Sequence, residues 1–399
     1  MWSLSGFISD VKYIVTHPDF TNLEVNTSGI VLMLVVIGIF SAAFYANIGD
    51  HSDALKDKVN AAIGSSSGVV HRKDDPPIPP PSVITALRIY PIKSCRGFEV
   101  SSTRLKRAGL TLDRNWMFIS KEDKKFLTIR GDPSMTLIDT AIIEEGGEQM
   151  LEISIHNTDG RVTVPAFPSR EWLESNTSLE TVEIWENETD GWIYSDSINK
   201  IFSDFFSKPV ALVYKGPSHR MVAINGRKEL YGEDVPHHFA DVMSLQVASE
   251  ASMKDLNKQL GHALDSPEAL TIERFRPNII IKGRDDHPWE EDTWKRIRIN
   301  TTISNEEALY KLDLDVVARC ARCQVPNVDP DTAEKHKKEP WDTLMKSRRV
   351  DTGGPAKYKP CFGMMAIPKN EGKIAVGGTL EVLETTDKHW YNERAFKEL

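Results

Sequence analysis

The sequence predicts a β-rich α+β protein of barrel-like architecture, carried behind a single membrane-crossing helix. Three observations predict it. From Val83 onward, short stretches alternate apolar and polar residues or form brief apolar runs, and helical spacing is far less frequent. Residues 29–46, GIVLMLVVIGIFSAAFYA, contain no charge, and at roughly 1.5 Å per residue they reach across most of a hydrocarbon core. A polar, proline-rich stretch separates the two regions.

The leader, residues 1–28, contains Asp10, Asp19 and Glu24, and its length and acidity do not suit a cleavable signal peptide. The apolar run therefore reads as a transmembrane anchor over residues 29–48. Lys12 precedes it, whereas Lys56, Lys58, Arg72 and Lys73 follow it, so the positive-inside rule puts the C-terminal part in the cytosol. Residues 49–82, with GSSSG and DDPPIPPPS, read as an extended linker.

Predicted strands then follow: VITALRIYPI, RNWMFIS, KFLTIR, TLIDTAIIEE, MLEISIH, RVTVPA, VALVY, NIIIKG, ALYKLDLDVVARC and KIAVGGTLEVL. Two helices interrupt them. SINKIFSDFFS places Ile198, Ile201, Phe202 and Phe205 at helical spacing. SEASMKDLNKQLG offers Ser249 as N-cap, Met253, Leu256 and Leu260 on one face, and Gly261 as a stop.

At 399 residues the chain exceeds one compact domain, and 40% hydrophobic with 27% charged residues supports a sizeable core and excludes whole-chain disorder. A net charge of −9 argues against nucleic acid as the partner, because phosphate-backbone binding needs a concentrated basic face. Four cysteines, Cys95, Cys320, Cys323 and Cys361, are too few for a disulfide framework. The chain has no G-x-G-x-x-G, P-loop, G-x-S-x-G or H-E-x-x-H motif, so nucleotide-driven and serine-hydrolase chemistry lose their main support.

What remains is VARCARCQVPNVDPDT, residues 317–332. Half of a zinc site is one reading of Cys320 and Cys323, although no second C-x-x-C or His pair answers them. A dithiol is another, although the pair follows a strand pattern and enters a turn, where a thioredoxin-like pair opens a helix. Core filling is a third. Arg319 and Arg322 flank the pair, and cations favour thiolate, so a single thiolate ligand for a metal carried by an organic cofactor is the fourth. The residues alone leave all four open.

The segments LRIYPIKSCRG, AGLTLDRNWMFI, VASEASMKDLN, RFRPNIII, DTW, RCARCQVPNVDPDT and KIAVGGTLEVL, in this order from about Val83 to Leu383, resemble the MOSC family. The resemblance is closest to its membrane-anchored branch, the mitochondrial amidoxime-reducing components. It implies a MOSC N-terminal β-barrel domain over residues 83–212, a MOSC β-barrel over 213–386 and a tail over 387–399. It also implies the molybdenum cofactor, Mo-molybdopterin, with Cys323 as metal ligand and Cys320 as a neighbour. Lys93, Ser94 and Arg114 match segments that hold the pterin phosphate and its surroundings; Arg276 and Asn278 match positions near the pterin and the metal. Asp241 matches a family aspartate, but Val242 and Met243 follow it where the family commonly has hydroxyl residues, and Ser244 comes one place later. Asp285 aligns with an acidic residue near the open face of the metal, ahead of a short insertion before Trp294. Asp329 and Asp331 are ordinary turn formers behind Cys323.

The resemblance further implies two-electron reduction of N-hydroxylated compounds, amidoximes, hydroxylamines and N-oxides. Electrons would come from a b-type cytochrome and its NADH-dependent flavoprotein reductase, at the mitochondrial outer membrane or the endoplasmic reticulum. The basic run KHKKEPWDTLMKSRR, residues 335–349, is a candidate docking patch for the cytochrome. The alternatives are a membrane-tethered cofactor carrier and a sulfur-transfer protein, both without reductase activity.

Overall fold

Alternation is plainest in the strand Ala308–Ala321, where Leu312, Leu314, Val316, Ala318 and Cys320 are buried at every second position. Side chains of a pleated strand point to opposite faces in turn, so this period puts Leu312, Leu314 and Val316 on the core; register shifts between Val316 and Ala318 and between Arg319 and Ala321 interrupt it around Cys320, which is buried past the first break. The structure is a computed structural model and describes residues 75–221, 228–263, 266–303, 308–351 and 357–389.

In the first half the strands are β1 Ser82–Ile89, β2 Phe98–Val100, β3 Ser102–Lys106, β4 Gly109–Leu110, β5 Trp116–Ser120, β6 Ile138–Glu145, β7 Glu148–Ile155, β8 Arg161–Pro165, β9 Thr177–Ile184, β10 Asn187–Tyr194 and β11 Val210–Lys215. The second half adds β12 Arg220–Met221, β13 Pro236–His237, β14 Leu245–Ser249, β15 Ile279–Ile281, β16 Trp294–Ile303, β17 Ala308–Ala321, β18 Cys361–Pro368, β19 Gly372–Ala375 and β20 Thr379–Thr385. The α-helices are α1 Arg170–Asn176, α2 Asp196–Phe206, α3 Lys228–Tyr231, α4 Glu250–Leu260 and α5 Trp341–Ser347.

The main sheet runs β15-β14-β18-β17-β16-β20-β1-β2, and a further pairing of β15 with β1 closes it into a barrel. Closure removes the free edges that an open sheet would expose. The pairing of β14 with β15 is parallel, Val247 opposite Ile279, while β1 meets β15 antiparallel. Smaller sheets, β5-β11-β10-β9 and β6-β7-β8, make up most of the first half. Phe118 on β5 packs against Phe202 and Phe206 of α2, with ring centroids 4.9 and 5.7 Å apart.

Both predicted helices form, as α2 and α4. Ser249 and Gly261 stand at the two ends of α4, Gly261 with φ 78, but the Ser249 side chain makes no capping bond. KFLTIR does not form a strand: Lys125 and Phe126 make only isolated bridges, to Glu183 and Ile119.

The predicted single transmembrane helix is not supported. Among the described residues no helix is long and apolar enough to cross a membrane. The longest, α2 and α4 at 11 residues each, would rise about 16 Å against a hydrocarbon core of about 30 Å. The segment assigned to the anchor, residues 29–48, lies outside the described residues, as do the leader 1–28 and most of the linker. The single-pass placement in the mitochondrial outer membrane or endoplasmic reticulum, with the C-terminal domain in the cytosol, rested on that helix and falls with it.

Candidate cofactor site

Five connections converge at the ends of neighbouring strands: Tyr90–Gly97 after β1, Thr111–Asn115 before β5, Phe239–Ser244 before β14, Arg276–Asn278 before β15, and Arg322–Gln324 after β17. Three of the predicted site residues hold left-handed backbone, Ser94 at φ 70, Arg114 at φ 52 and Arg276 at φ 58. Side chains other than glycine adopt that region at a cost, and such residues concentrate where function over-determines them.

Tyr90 is the platform. The Arg114 guanidinium carbon lies 4.5 Å and that of Arg276 4.3 Å from the Tyr90 ring centroid, both at cation–π distance. Asp113, buried, accepts from the Tyr90 amide at 2.8 Å and from Arg114 Nη1 at 2.5 Å, and Arg114 Nη2 donates to the Arg276 carbonyl at 3.2 Å. Arg276 Nη2 is buried without a partner. Burial, and then the neighbouring Arg114 charge, push the Arg276 guanidinium down to about 10. A desolvated cation facing another cation calls for an anion.

Lys93 is buried. Its ammonium donates to Phe239 O at 2.9 Å and pairs with Asp241. The Phe126 and Trp185 rings enclose it, with centroids 5.3 and 5.9 Å away. Burial pushes Lys93 down to about 8, against the pull of Asp241. Asp241 also accepts from Trp185 Nε1 at 3.0 Å and lies 3.4 Å from Arg130 Nη2. Burial disfavours its charge, but Lys93 outweighs that and holds the carboxyl well below the usual range.

All four cysteines are free thiols. Cys320 Sγ accepts from Arg322 Nη1 at 2.9 Å, yet burial wins over that cation and pushes the thiol up. Cys323, past the end of β17, is half-buried. The Asp241 carboxylate adds to the rise of the Cys320 thiol, and burial raises the Cys95 thiol against the pull of the Arg276 charge. Arg319 turns away, to Asp351 at 3.8 Å.

Other predicted residues are spent differently. The Asn278 side chain stitches the sheet, accepting from Gln246 N at 3.2 Å and donating to Arg88 O at 3.3 Å. Ser244 is buried with its hydroxyl unpartnered. Asp285 is exposed and pairs with Lys254 at 3.0 Å, with no contact to the cluster. Asp329 pairs with Arg274 at 2.5 Å and accepts from the amides of Asp331 and Thr332, as a turn former does. Sequence reasoning missed Tyr90 and Asp113, although both lie inside quoted motifs. It also missed Trp185, which comes from the β9–β10 turn, and Gln246, which accepts from Arg322 at 3.2 Å.

The cluster suits a ligand with an anionic end and a polar ring system. Lys93, Arg114, Arg130, Arg220 and Arg276 outnumber Asp113 and Asp241, and Arg276 Nη2, Arg322 Nε and Ser244 Oγ are buried polar atoms without partners. A buried donor left unpaired costs about 1–3 kcal/mol, which such a ligand would recover.

The family model described as the MOSC domain matches residues 234–381, and that described as the MOSC N-terminal beta barrel domain matches residues 82–209. Mitochondrial amidoxime reducing component 2 of Homo sapiens is 30% identical over 302 residues, covering 74% of this chain and 81% of that protein. Its Rattus norvegicus counterpart is 28% identical over 311 residues, covering 74% and 81%. Molybdenum cofactor sulfurase of Oryza sativa subsp. japonica is 30% identical over 311 residues, covering 75% of this chain but only 34% of that protein.

Proposed function

This chain belongs to the MOSC family, in the company of the mitochondrial amidoxime-reducing components, and its function is tied to the molybdenum cofactor; from that premise we propose that it reduces N-hydroxylated nitrogen compounds, namely amidoximes, hydroxylamines and N-oxides. The observation that carries this reading is the pair of guanidiniums on Tyr90, one with a buried nitrogen that no protein atom satisfies.

Lys93, Arg114 and Arg276 would hold the anionic end of Mo-molybdopterin, Ser94 and Ser244 would hydrogen-bond it, and the Cys323 thiolate would ligate the metal. Bound there, the cofactor supplies the two-electron chemistry of N–O cleavage. The chain's own groups orient and shield. Asp113 fixes the Arg114 fork through Nη1. Arg322 occupies the Cys320 sulfur and so leaves Cys323 as the less committed thiol. Phe126 and Trp185 keep water from the Lys93 ammonium.

The sequence contains no flavin or nicotinamide fingerprint, so electrons would arrive from a b-type cytochrome served by an NADH-dependent flavoprotein reductase. Lys335, Lys337 and Lys338 are exposed ahead of α5 and offer such an acidic partner a cationic face. Similarity to the sulfurase supports a second reading, a cofactor carrier or sulfur-transfer protein.

The test is protein made in a host that produces the cofactor, analysed for molybdenum and assayed for benzamidoxime reduction with cytochrome, reductase and NADH. About one molybdenum per chain with turnover is expected. Cys323→Ser should abolish turnover, Cys320→Ala should keep most of it, and Arg276→Ala should lower molybdenum content. Equal loss from the two cysteine variants would point to dithiol chemistry. Molybdenum without turnover would favour the carrier, and zinc in its place would overturn the reading.

A further inference from the structure

The segment Ile272–Arg276 contacts the chain on both sides of Cys323. Its one-turn 3-10 helix, Ile272–Phe275, is pinned by its aromatic residue: Phe275 is fully buried and stacks on Phe362, with ring centroids 3.8 Å apart. Upstream of Cys323, the Phe275 carbonyl accepts from Arg322 Nη2 at 3.0 Å. Downstream of it, Arg274 Nη1 donates to the Val328 carbonyl at 3.1 Å and Nη2 pairs with Asp329 at 2.5 Å. Arg276 then turns through left-handed backbone, φ 58, to the ring of Tyr90. Consecutive residues therefore reach the strand end before Cys323, the turn after it and the proposed anion site.

The downstream contact leaves little slack. Residues 324–327 alone separate Cys323 from Val328, and a second 3-10 turn, Val325–Asn327, takes up most of them. Val328 is itself buried in the core. Asp329 gives one carboxylate oxygen to the Asp331 and Thr332 amides, at 2.8 and 3.1 Å, and the other to Arg274. The guanidinium fork thus closes on a turn whose shape is already set. With the Arg274 side chain 13% exposed, the pair escapes much of the screening that weakens a surface bridge. A shift at Val328–Asp329 has almost no free chain to absorb it before it reaches the Cys323 sulfur.

We propose that Arg274 is a positioning residue: by clamping Val328–Asp329 onto the segment that carries Arg276, it fixes where the Cys323 sulfur stands relative to the anion-holding guanidinium. This rests on the reading of Cys323 as metal ligand and Arg276 as anion holder. Arg274 itself touches neither end of the ligand and acts only through those two.

Alkylation of the cofactor-free full chain by iodoacetamide, followed peptide by peptide in mass spectrometry, tests the clamp without turnover. Cys95, Cys320 and Cys361 are buried and Cys323 is half-buried, so their labelling rates are read separately. Arg274→Gln should label Cys323 about tenfold faster than wild type, the size of effect that a lost charge-assisted bond gives. Asp329→Asn, the second variant should the first fail to fold, keeps an acceptor for the Asp331 and Thr332 amides but loses the charge, and should act alike. Arg274→Lys keeps the charge without the fork and should fall between. In cofactor-loaded protein Arg274→Gln should lower kcat for benzamidoxime, per molybdenum, about tenfold with KM unchanged. Two results would each overturn the proposal: wild-type labelling of Cys323 in both Arg274→Gln and Asp329→Asn, or faster labelling of all four cysteines together, the mark of a generally loosened fold. The labelling needs no cofactor, so it decides on Arg274 whether or not the reductase reading holds.

Discussion

Glu291 is almost fully buried, and burial, reinforced by Asp292 beside it, pushes its carboxyl up to about 7. Ser252 Oγ donates to it at 2.7 Å, and Arg348, paired with Asp292 at 2.5 Å, pulls weakly the other way. Because the folded value lies above the unfolded one, the native state binds the proton more tightly. The associated stability is complete below the ordinary glutamate value of 4.5 and is lost as pH rises through about 7. Glu291→Gln keeps an acceptor for Ser252 and removes the titration. Its unfolding free energy should stay flat between about pH 5 and 8, where the wild type loses on the order of 2–3 kcal/mol. Equal slopes in urea unfolding would contradict the assignment. At this same scale, motifs pointed to Lys93, Arg114 and Arg276 as residues. They did not disclose the left-handed backbone or the tyrosine ring that both guanidiniums share, which depend on atoms from distant segments.

Among the elements, β18 shows how tightly the barrel constrains its chain near the site. Gly363 has φ 72, and a Cβ there would sit 2.7 Å from Val247 O on β14 and 2.9 Å from Gln246 Nε2. Gln246 also accepts from Arg322, so the clash would reach the neighbourhood of Cys320. Gly363→Ala is expected to cost about 1–3 kcal/mol from backbone strain, read as a lower denaturant midpoint. A midpoint equal to wild type would mean that β14 yields freely. Elements were legible where one face is buried: α2 and α4 show helical spacing and β17 alternates from Leu312 to Val316. The β9–β10 hairpin was not, because β9 exposes Ser178, Leu179, Glu180 and Thr181 in succession and carries no period to read. KFLTIR has strand composition but pairs only at two bridges.

For the whole molecule, one hydrophobic core runs through both halves. Phe118, Leu151, Ile153, Val164 and Phe202 belong to the same buried cluster as Ile297, Leu314, Met364 and Leu380. The sheet agrees, since β1 lies between β20 and β15. Cooperative unfolding of the two halves follows. Phe118→Ala, about 3–5 kcal/mol less stable, should move the far-ultraviolet circular dichroism and tryptophan fluorescence midpoints down together. A fluorescence transition that separates from the dichroism one would show that the halves unfold independently.

By itself the sequence determined the β-rich class and the family, and it offered candidates for a cofactor site, because alternation and short motifs are local properties of the chain. Tertiary structure decided that β1 and β15 close the barrel, that Asp285 faces Lys254 while Asp241 faces Lys93, and that Arg276 reaches the ring of Tyr90. Burial and charge proximity are sums over segments far apart in sequence. No local pattern contains them.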